Sequence, residues 1–255
     1  MLLSCLGYQF EVAKFIWMQT LYNYVRKMKT GTTLNKTNKL VVSWTGGKDG
    51  CFACYKAISE GYDISYLLSF RDMKRSGSHE INPELLSAQS QAIGIPILQT
   101  DFISYEQEFK KVIRDLKENG TGIGGAVFGH IETHKNLVVR ICSDLGIKLI
   151  LPLWNCDSEQ IITDFIGAGF EAIIVSAKAD LFDKEWLGRK IDKEFVSDLR
   201  SFHKGVNSCG EFGEYHTFVI DGPMFKNRIR VANSEKILKD GYWFLDISKY
   251  AIEGK

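Results

Sequence analysis

From residue 40 onward, short apolar runs alternate with stretches in which apolar residues recur every three to four positions. The runs at 40–44, 64–70, 96–100, 126–129 and 149–151 read as strands, and 51–59, 83–93, 105–118 and 133–145 read as helices. Asn82 is placed to cap the second helix, with Pro83 in its first position, and Ser104 to cap the third. This alternation predicts an α/β fold, a parallel sheet with helices on both faces. In such sheets ligands bind beyond the carboxyl ends of the strands.

Past Pro152 the pattern changes. A helix is expected from Asp157 or Ser158 to about 167–169, then a strand at 170–176 and charged helical patterning through 183–200. Beyond Gly205 the chain is rich in glycine and β-formers, with strands expected at 215–221, 229–232 and 241–247. These features predict a smaller C-terminal α+β lobe. The expected division is an extension and linker at 1–38, a first domain at 39–152 and a second lobe at 153–255. In the extension, Phe15, Ile16, Trp17, Leu21, Tyr22 and Val25 can form one helical face, residues 27–39 read as a linker, and Met28 is an alternative start. Glu11 and Lys14 interrupt the opening apolar stretch and no 18-residue apolar run follows, so no membrane anchor is expected.

At 255 residues, with 45% hydrophobic and 25% charged residues, the chain can bury one large core or a core with a small appendage. A formal net charge of +1 provides no broad field for nucleic acid or an anionic membrane. Six cysteines spread along a chain of this size suggest reduced thiols and a cytoplasmic protein. Cys51 and Cys54 form a lone Cys-x-x-Cys in a helix expected to pack on the sheet, so core packing is the expectation for them.

Candidate chemistry is concentrated in two segments. Thr45-Gly46-Gly47-Lys48-Asp49-Gly50 joins the first strand to the first helix. Glycines let the backbone approach an anion, and a helix start points free N–H groups at it. Lys48 adds positive charge, and Asp49 is a carboxylate suited to Mg²⁺ beside a phosphate. The spacing matches neither Gly-x-x-x-x-Gly-Lys-[Ser/Thr] nor Gly-x-Gly-x-x-Gly; an ordinary strand-to-helix turn stays open. The second segment, 206–225, contains Glu211-Phe212-Gly213-Glu214-Tyr215-His216-Thr217. Strand alternation would put His216 opposite Tyr215 and Thr217, so these groups can meet one ligand only with a bulge.

The first segment resembles the Ser-Gly-Gly-x-Asp-Ser loop of PP-loop ATP pyrophosphatases, with Thr45 for the first serine and Gly50 for the second. Residues 209–225, reading Cys-Gly-Glu-x-Gly-Glu-Tyr-x-Thr-Phe-Val-x-Asp-Gly-Pro-x-Phe, resemble the C-terminal signature of the diphthine-ammonia ligase family. Pro152-Leu153-Trp154, residues 169–175 and Glu185-Trp186-Leu187-Gly188-Arg189 are similar to it too, and the likeness spans about 39–230. The resemblance implies a HUP/PP-loop ATPase-like, Rossmann-like first domain that binds ATP, and a substrate-binding second lobe. It implies an ATP-dependent amide ligase: a carboxylate is activated as acyl-adenylate, AMP and pyrophosphate are released, and ammonia attacks.

On that likeness, ATP would meet Ser43, Thr45, Gly46, Gly47, Lys48, Asp49, Gly50, Gly129 and His130, with Mg²⁺ on Asp49. The substrate would meet His79, Glu211, Gly213, Glu214, Tyr215 and Thr217. Lys48, Asp49, Glu214 and His216 would be catalytic, Glu214 or His216 taking a proton from ammonium. His216 stands where eukaryotic and archaeal members have glutamate, and is similar to a bacterial branch linked to cobalamin salvage. The implied partners are a small-molecule or protein-borne carboxylate and ammonia. Nucleic acid and membrane are disfavoured, and a homodimer is compatible.

A nucleotide-binding module without catalysis, suggested by Gly50, and a tRNA-modifying enzyme are the alternatives. His130-Ile131-Glu132-Thr133-His134 lacks the His-Glu-x-x-His order, so zinc is not expected there. The basic loop at 71–79 reads as either a solvated loop or a lid.

Overall fold

A computed structural model describes residues 39–73, 81–201 and 205–255. The extension at 1–38 and residues 74–80 of the basic loop, His79 among them, lie outside the described residues.

The first half alternates strictly: β1 (Lys39–Ser43), α1 (Lys48–Ser59), β2 (Asp63–Asp72), α2 (Pro83–Ile93), β3 (Ile97–Phe102), α3 (Tyr105–Glu118), β4 (Ile123–Val127), α4 (Lys135–Leu145) and β5 (Lys148–Ile150). The strands form one sheet in the order β3-β2-β1-β4-β5, every pairing parallel. β1 is central and covered on both faces, which explains its unbroken apolar run Leu40-Val41-Val42. Leu40 and Val42 face the core beneath α1 and α2. Val41 faces the opposite core with Phe109 of α3 and Val138 of α4. Because β2 lies on one side of β1 and β4 on the other, the winding reverses at the end of β1, the usual place for a ligand in such sheets.

The helix ends follow local chemistry. Asn82 accepts a hydrogen bond from the Glu84 amide at 2.9 Å and Pro83 opens α2. Ser104 occupies the cap position of α3, but its side chain makes no capping bond. α1 begins at Lys48, three residues ahead of the expected start, so Lys48, Asp49 and Gly50 form its first turn.

The second half contains α5 (Ser158–Gly167), capped by Asp157 onto the Gln160 amide at 2.8 Å, then β6 (Glu171–Lys178), a 3₁₀ turn (Lys184–Trp186), α6 (Lys193–Ser201), β7 (Tyr215–Asp221), β8 (Asn227–Lys239) and β9 (Tyr242–Gly254). The strands form an antiparallel sheet in the order β7-β6-β9-β8. β8 and β9 are much longer than the strands expected at 229–232 and 241–247. Their hairpin turns on Asp240 (φ 49°) and Gly241 (φ 79°), a two-residue turn with both φ positive for which Asp-Gly is a strong signal. β9 pairs with β6 through Phe244, Trp243 and Tyr242; past Phe244 the two strands part into a fork, and β6 bonds residues 188–191 in place of β9.

The two halves share a core. Phe52 and Tyr55 of α1 meet Phe170 edge-on at 6.1 and 5.3 Å, and Phe170 stacks on Phe165 of α5 at 4.8 Å. Aromatic pairs of this kind contribute about 0.5–1.5 kcal/mol each beyond area burial. Among the described residues no helix is long and apolar enough to cross a membrane.

Candidate active site

The glycine turn is built by both halves of the molecule. Gly46 has φ +79°, and a Cβ there would lie 2.7 Å from Leu86 Cδ2 and 2.9 Å from Gln89 Oε1, so both conformation and space require glycine. Its carbonyl accepts from the Val219 amide of β7 at 3.0 Å and from Gln89 Nε2 at 2.9 Å. Gln89 is fully buried; the same Nε2 also donates to Val219 O at 2.7 Å, while Oε1 accepts from Trp44 Nε1 at 3.0 Å. Gly47, the residue before α1, has no side chain to cap the helix, and Thr217 Oγ1 takes that role by accepting from the Lys48 amide at 3.0 Å. By position, the Asp49 and Gly50 amides have no intrahelical acceptor, which leaves the positive end of α1 facing the turn.

Lys48 is buried. Its Nζ donates to Asp49 Oδ2 at 2.9 Å and to the Cys209 carbonyl, and lies 5.3 Å from the centre of the Tyr215 ring. Burial opposes the ammonium more than any one neighbour favours it, but Asp49, Tyr215 and Cys209 together outweigh it and hold the pKa above the ordinary lysine value. Burial likewise lifts the Asp49 carboxyl above the usual aspartate value against the pull of Lys48. The other oxygen, Asp49 Oδ1, is buried without a hydrogen-bond partner. A shielded, unsatisfied carboxylate oxygen is costly, and a hard cation such as Mg²⁺ takes oxygen ligands of this kind, so Asp49 is the residue that would hold one. Among the described residues no three His, Cys, Asp or Glu side chains gather into a metal site of their own.

The 205–217 loop is held mainly by its own polar groups. Asn207 Oδ1 accepts from the Cys209 amide at 2.8 Å, and its Nδ2 donates to Ser158 Oγ at 3.2 Å. Glu214, expected to act on substrate, is instead buried and committed inward. Its two oxygens accept from the amides of Asn207 (3.0 Å) and Phe212 (2.9 Å), so the carboxylate organises the loop and does not border the cleft. Glu211 reaches the first half: Oε1 accepts from the Glu132 and Thr133 amides at 3.2 Å and from Thr133 Oγ1 at 2.9 Å. Tyr215 spends its hydroxyl on the Ser208 carbonyl at 2.5 Å.

One cleft gathers much of the expected set. Thr45, Gly47, Lys48, Asp49 and Gly50 line it from one side, Tyr215, His216 and Thr217 from the other, with Ile81, Cys209 and Gly210 between. Three consecutive strand residues border it because they lie at the start of β7, opposite a register shift in β6 between Ile174 and Ser176. Ser43 turns away, its hydroxyl 3.1 Å from that of Tyr105. Gly129 supports the turn from behind, since a Cβ there would lie 2.7 Å from Asp49 C and Gly50 N. His130 stacks on Phe128 with ring centroids 5.9 Å apart, and burial, then His134, lowers its pKa. Gly213 (φ +76°) shapes the loop outside the cleft lining. Burial pushes the Cys54 and Cys209 thiols up to about 12, which keeps them protonated and unreactive.

Gln89, Trp44, Asn207 and Ile81 are the contributors that sequence patterning missed. Gln89 alone had a visible sign, a polar residue within the apolar stripe Leu85, Leu86, Ala92 and Ile93 of α2.

A parallel sheet whose glycine turn opens α1 at the switch point, closed by a second sheet that caps that turn, is the architecture of the PP-loop class of Rossmann-like α/β proteins. Residues 38–149 match the diphthamide synthase N-terminal domain, and 157–252 the diphthamide synthase C-terminal domain. The chain belongs to the diphthamide synthase family. Curated relatives named diphthine–ammonia ligase include those of Danio rerio (24% identical, covering 76% of this chain and 86% of the relative), Rattus norvegicus (25%, covering 82% and 89%) and Homo sapiens (25%, covering 80% and 86%). A solved structure of a predicted subunit of tRNA methyltransferase from Methanocaldococcus jannaschii is 13% identical, with a TM-score of 0.42 over 72% of this chain and 97% of that one, too remote to bear on function.

Proposed function

We propose that this chain is an ATP-dependent ligase that converts a carboxylate to its amide with ammonia, releasing AMP and pyrophosphate. The observation that carries the reading is the Lys48–Asp49 pair in the first turn of α1, with Asp49 Oδ1 buried and unpartnered beside a cleft. Ammonia does not displace oxide from a carboxylate in neutral water, so the oxygen must first become a leaving group. A carboxylate oxygen attacks the α-phosphorus, a new P–O bond forms, and the bond to the bridging oxygen breaks as pyrophosphate leaves with the electron pair. Ammonia then attacks the acyl carbon, the bond to AMP oxygen breaks, and the surplus proton goes to a base.

In this reading the amides of Gly47, Asp49 and Gly50 hold the departing pyrophosphate, and the buried Lys48 ammonium balances its charge. Bound at Asp49 Oδ1, Mg²⁺ would neutralise phosphate charge. Thr45 adds a hydroxyl at the cleft wall, and Gly129 keeps the turn in place. His130, next in the chain to Gly129, would meet the nucleoside. His216, half-buried at the cleft, is the proton acceptor. Glu211, Glu214, Gly213, Tyr215 and Thr217 act by shaping the wall and joining the halves.

The relatives' name supports diphthine as the acceptor, whereas His216 in place of a fixed carboxylate favours a different one. Supplying ATP, Mg²⁺, ammonia and either a diphthine-bearing protein or small carboxylates should yield AMP and pyrophosphate with the true acceptor. Lys48→Ala should lose about 100-fold or more in rate. Tight ATP binding with no AMP from any acceptor would leave a nucleotide-binding module instead.

A further inference from the structure

A second cleft, of about 250 Å³, opens where β6 and β9 part, roofed by the start of α2. Its walls are mostly apolar: Ile81, Leu85, Val175, Phe218, Leu245 and Ile247 all border it. One polar side chain on its floor is unexplained. Ser176 is 3% exposed, and its Oγ has no hydrogen-bond partner. A buried hydroxyl left unpaired destabilises a fold, so it needs a reason outside the fold.

The two clefts adjoin. Ile81 borders both, and Ser176 is the cross-strand partner of His216, which lines the phosphate-loop cleft. Directly opposed residues in an antiparallel pair share a face and lie side by side. Ser176 therefore lies at the boundary between an apolar cleft and a cleft built for anions.

We propose that the fork is the acceptor subsite and takes a carboxylate with an apolar body, the body lying between Leu85, Phe218 and Leu245. The Ser176 hydroxyl donates to the carboxylate at the boundary with the phosphate loop. This deepens the ligase reading and rests on it for the identity of the reacting group. No bond is made in the fork; it orients the carboxylate oxygen toward the nucleotide. Asp246 and Lys239 at the rim leave the mouth mixed in charge, so the apolar walls and the one hydroxyl set the preference.

Hexanoate serves as the probe, with hexylamine as its oppositely charged counterpart, titrated into full-length protein carrying labelled Ile, Leu and Val methyl groups. Hexanoate should saturably shift the methyl signals of Ile81, Leu85, Val175, Leu245 and Ile247, and hexylamine should bind at least tenfold more weakly. Leu245→Trp, which fills the fork, should abolish the hexanoate shifts and leave MgATP affinity unchanged. Ser176→Ala should weaken hexanoate at least threefold, the factor expected of one hydrogen bond, while melting no lower than wild type because an unpaired buried hydroxyl is removed. A merely structural serine would not give that opposition of stability and affinity. Unmoved methyl signals, equal binding of the amine, or shifts that persist in Leu245→Trp overturn the subsite. Failure of the wild type to bind MgATP overturns the ligase reading instead, and the hexanoate titration, which needs no nucleotide, still decides the fork.

Discussion

Gln89 shows how much one side chain can set. It joins Trp44, Gly46 and Val219, which belong to the end of β1, the glycine turn and the second sheet. In Gln89→Leu the Trp44 N–H and the Val219 carbonyl lose that partner, and Gly46 O keeps only the Val219 amide. At about 1–3 kcal/mol per stranded group, urea unfolding should report a loss of about 3 kcal/mol. MgATP affinity should fall with it, because the Gly46–Gly47 peptide is then held by one hydrogen bond instead of two. Gln89→Glu keeps an acceptor for Trp44 and should fall between. Wild-type stability and affinity in Gln89→Leu would refute this account. Sequence alone shows that position 89 is a polar break in an apolar stripe, but not that its partners lie 43 and 130 residues away. Glu214 shows the same limit from the other side. A carboxylate beside a glycine looks available for chemistry, and only the fold reveals that two amides of its own loop occupy it.

Periodicity makes the elements legible, and the phosphate turn is an element before it is a site. The sheet strands and the helices of the first half follow from apolar runs and 3.6-residue patterns, because each buries one face or two against a neighbour. The β8–β9 hairpin is longer than its apolar pattern indicates, since its outer half is solvent-exposed and Asn233, Ser234, Glu235 and Lys236 dilute the strand signal; the turn itself is marked by Asp240-Gly241. α1 starts early because Thr217 supplies the missing cap. Gly50 in that first turn is not sterically required, as an added Cβ would meet only Ser43 O, at an ordinary 3.5 Å. Gly50→Ser should therefore gain about 0.5 kcal/mol of helix stability and raise Tm by about 1–2 °C by calorimetry, without weakening MgATP. A lower Tm would show that α1 needs glycine at that turn.

At the scale of the whole molecule, the halves are joined by polar clasps as well as by the shared aromatic core. Glu211 holds the amides of Glu132 and Thr133, and beside that junction lies His130, its pKa lowered chiefly by burial, then by His134, with Glu211 pulling the other way. A histidine with a lower pKa in the fold than in the unfolded chain binds fewer protons when folded. Stability is then fully present above the ordinary value of 6.5 and declines as pH falls through it. Melting curves from pH 7.5 to 5.5 should fall more steeply for wild type than for His130→Phe, which keeps the stack on Phe128. Parallel curves would remove His130 as the cause.

The capping of α1 from so far along the chain also has a consequence in time. Lys48 and Thr217 are separated by 169 residues. At about 5–20 residues per second, a ribosome needs roughly 8–34 s after making the glycine turn to deliver its cap. Throughout that interval the nascent first half carries its glycines, lysine and aspartate without the strand that holds them, so competence to grip a nucleotide waits for the synthesis of β7.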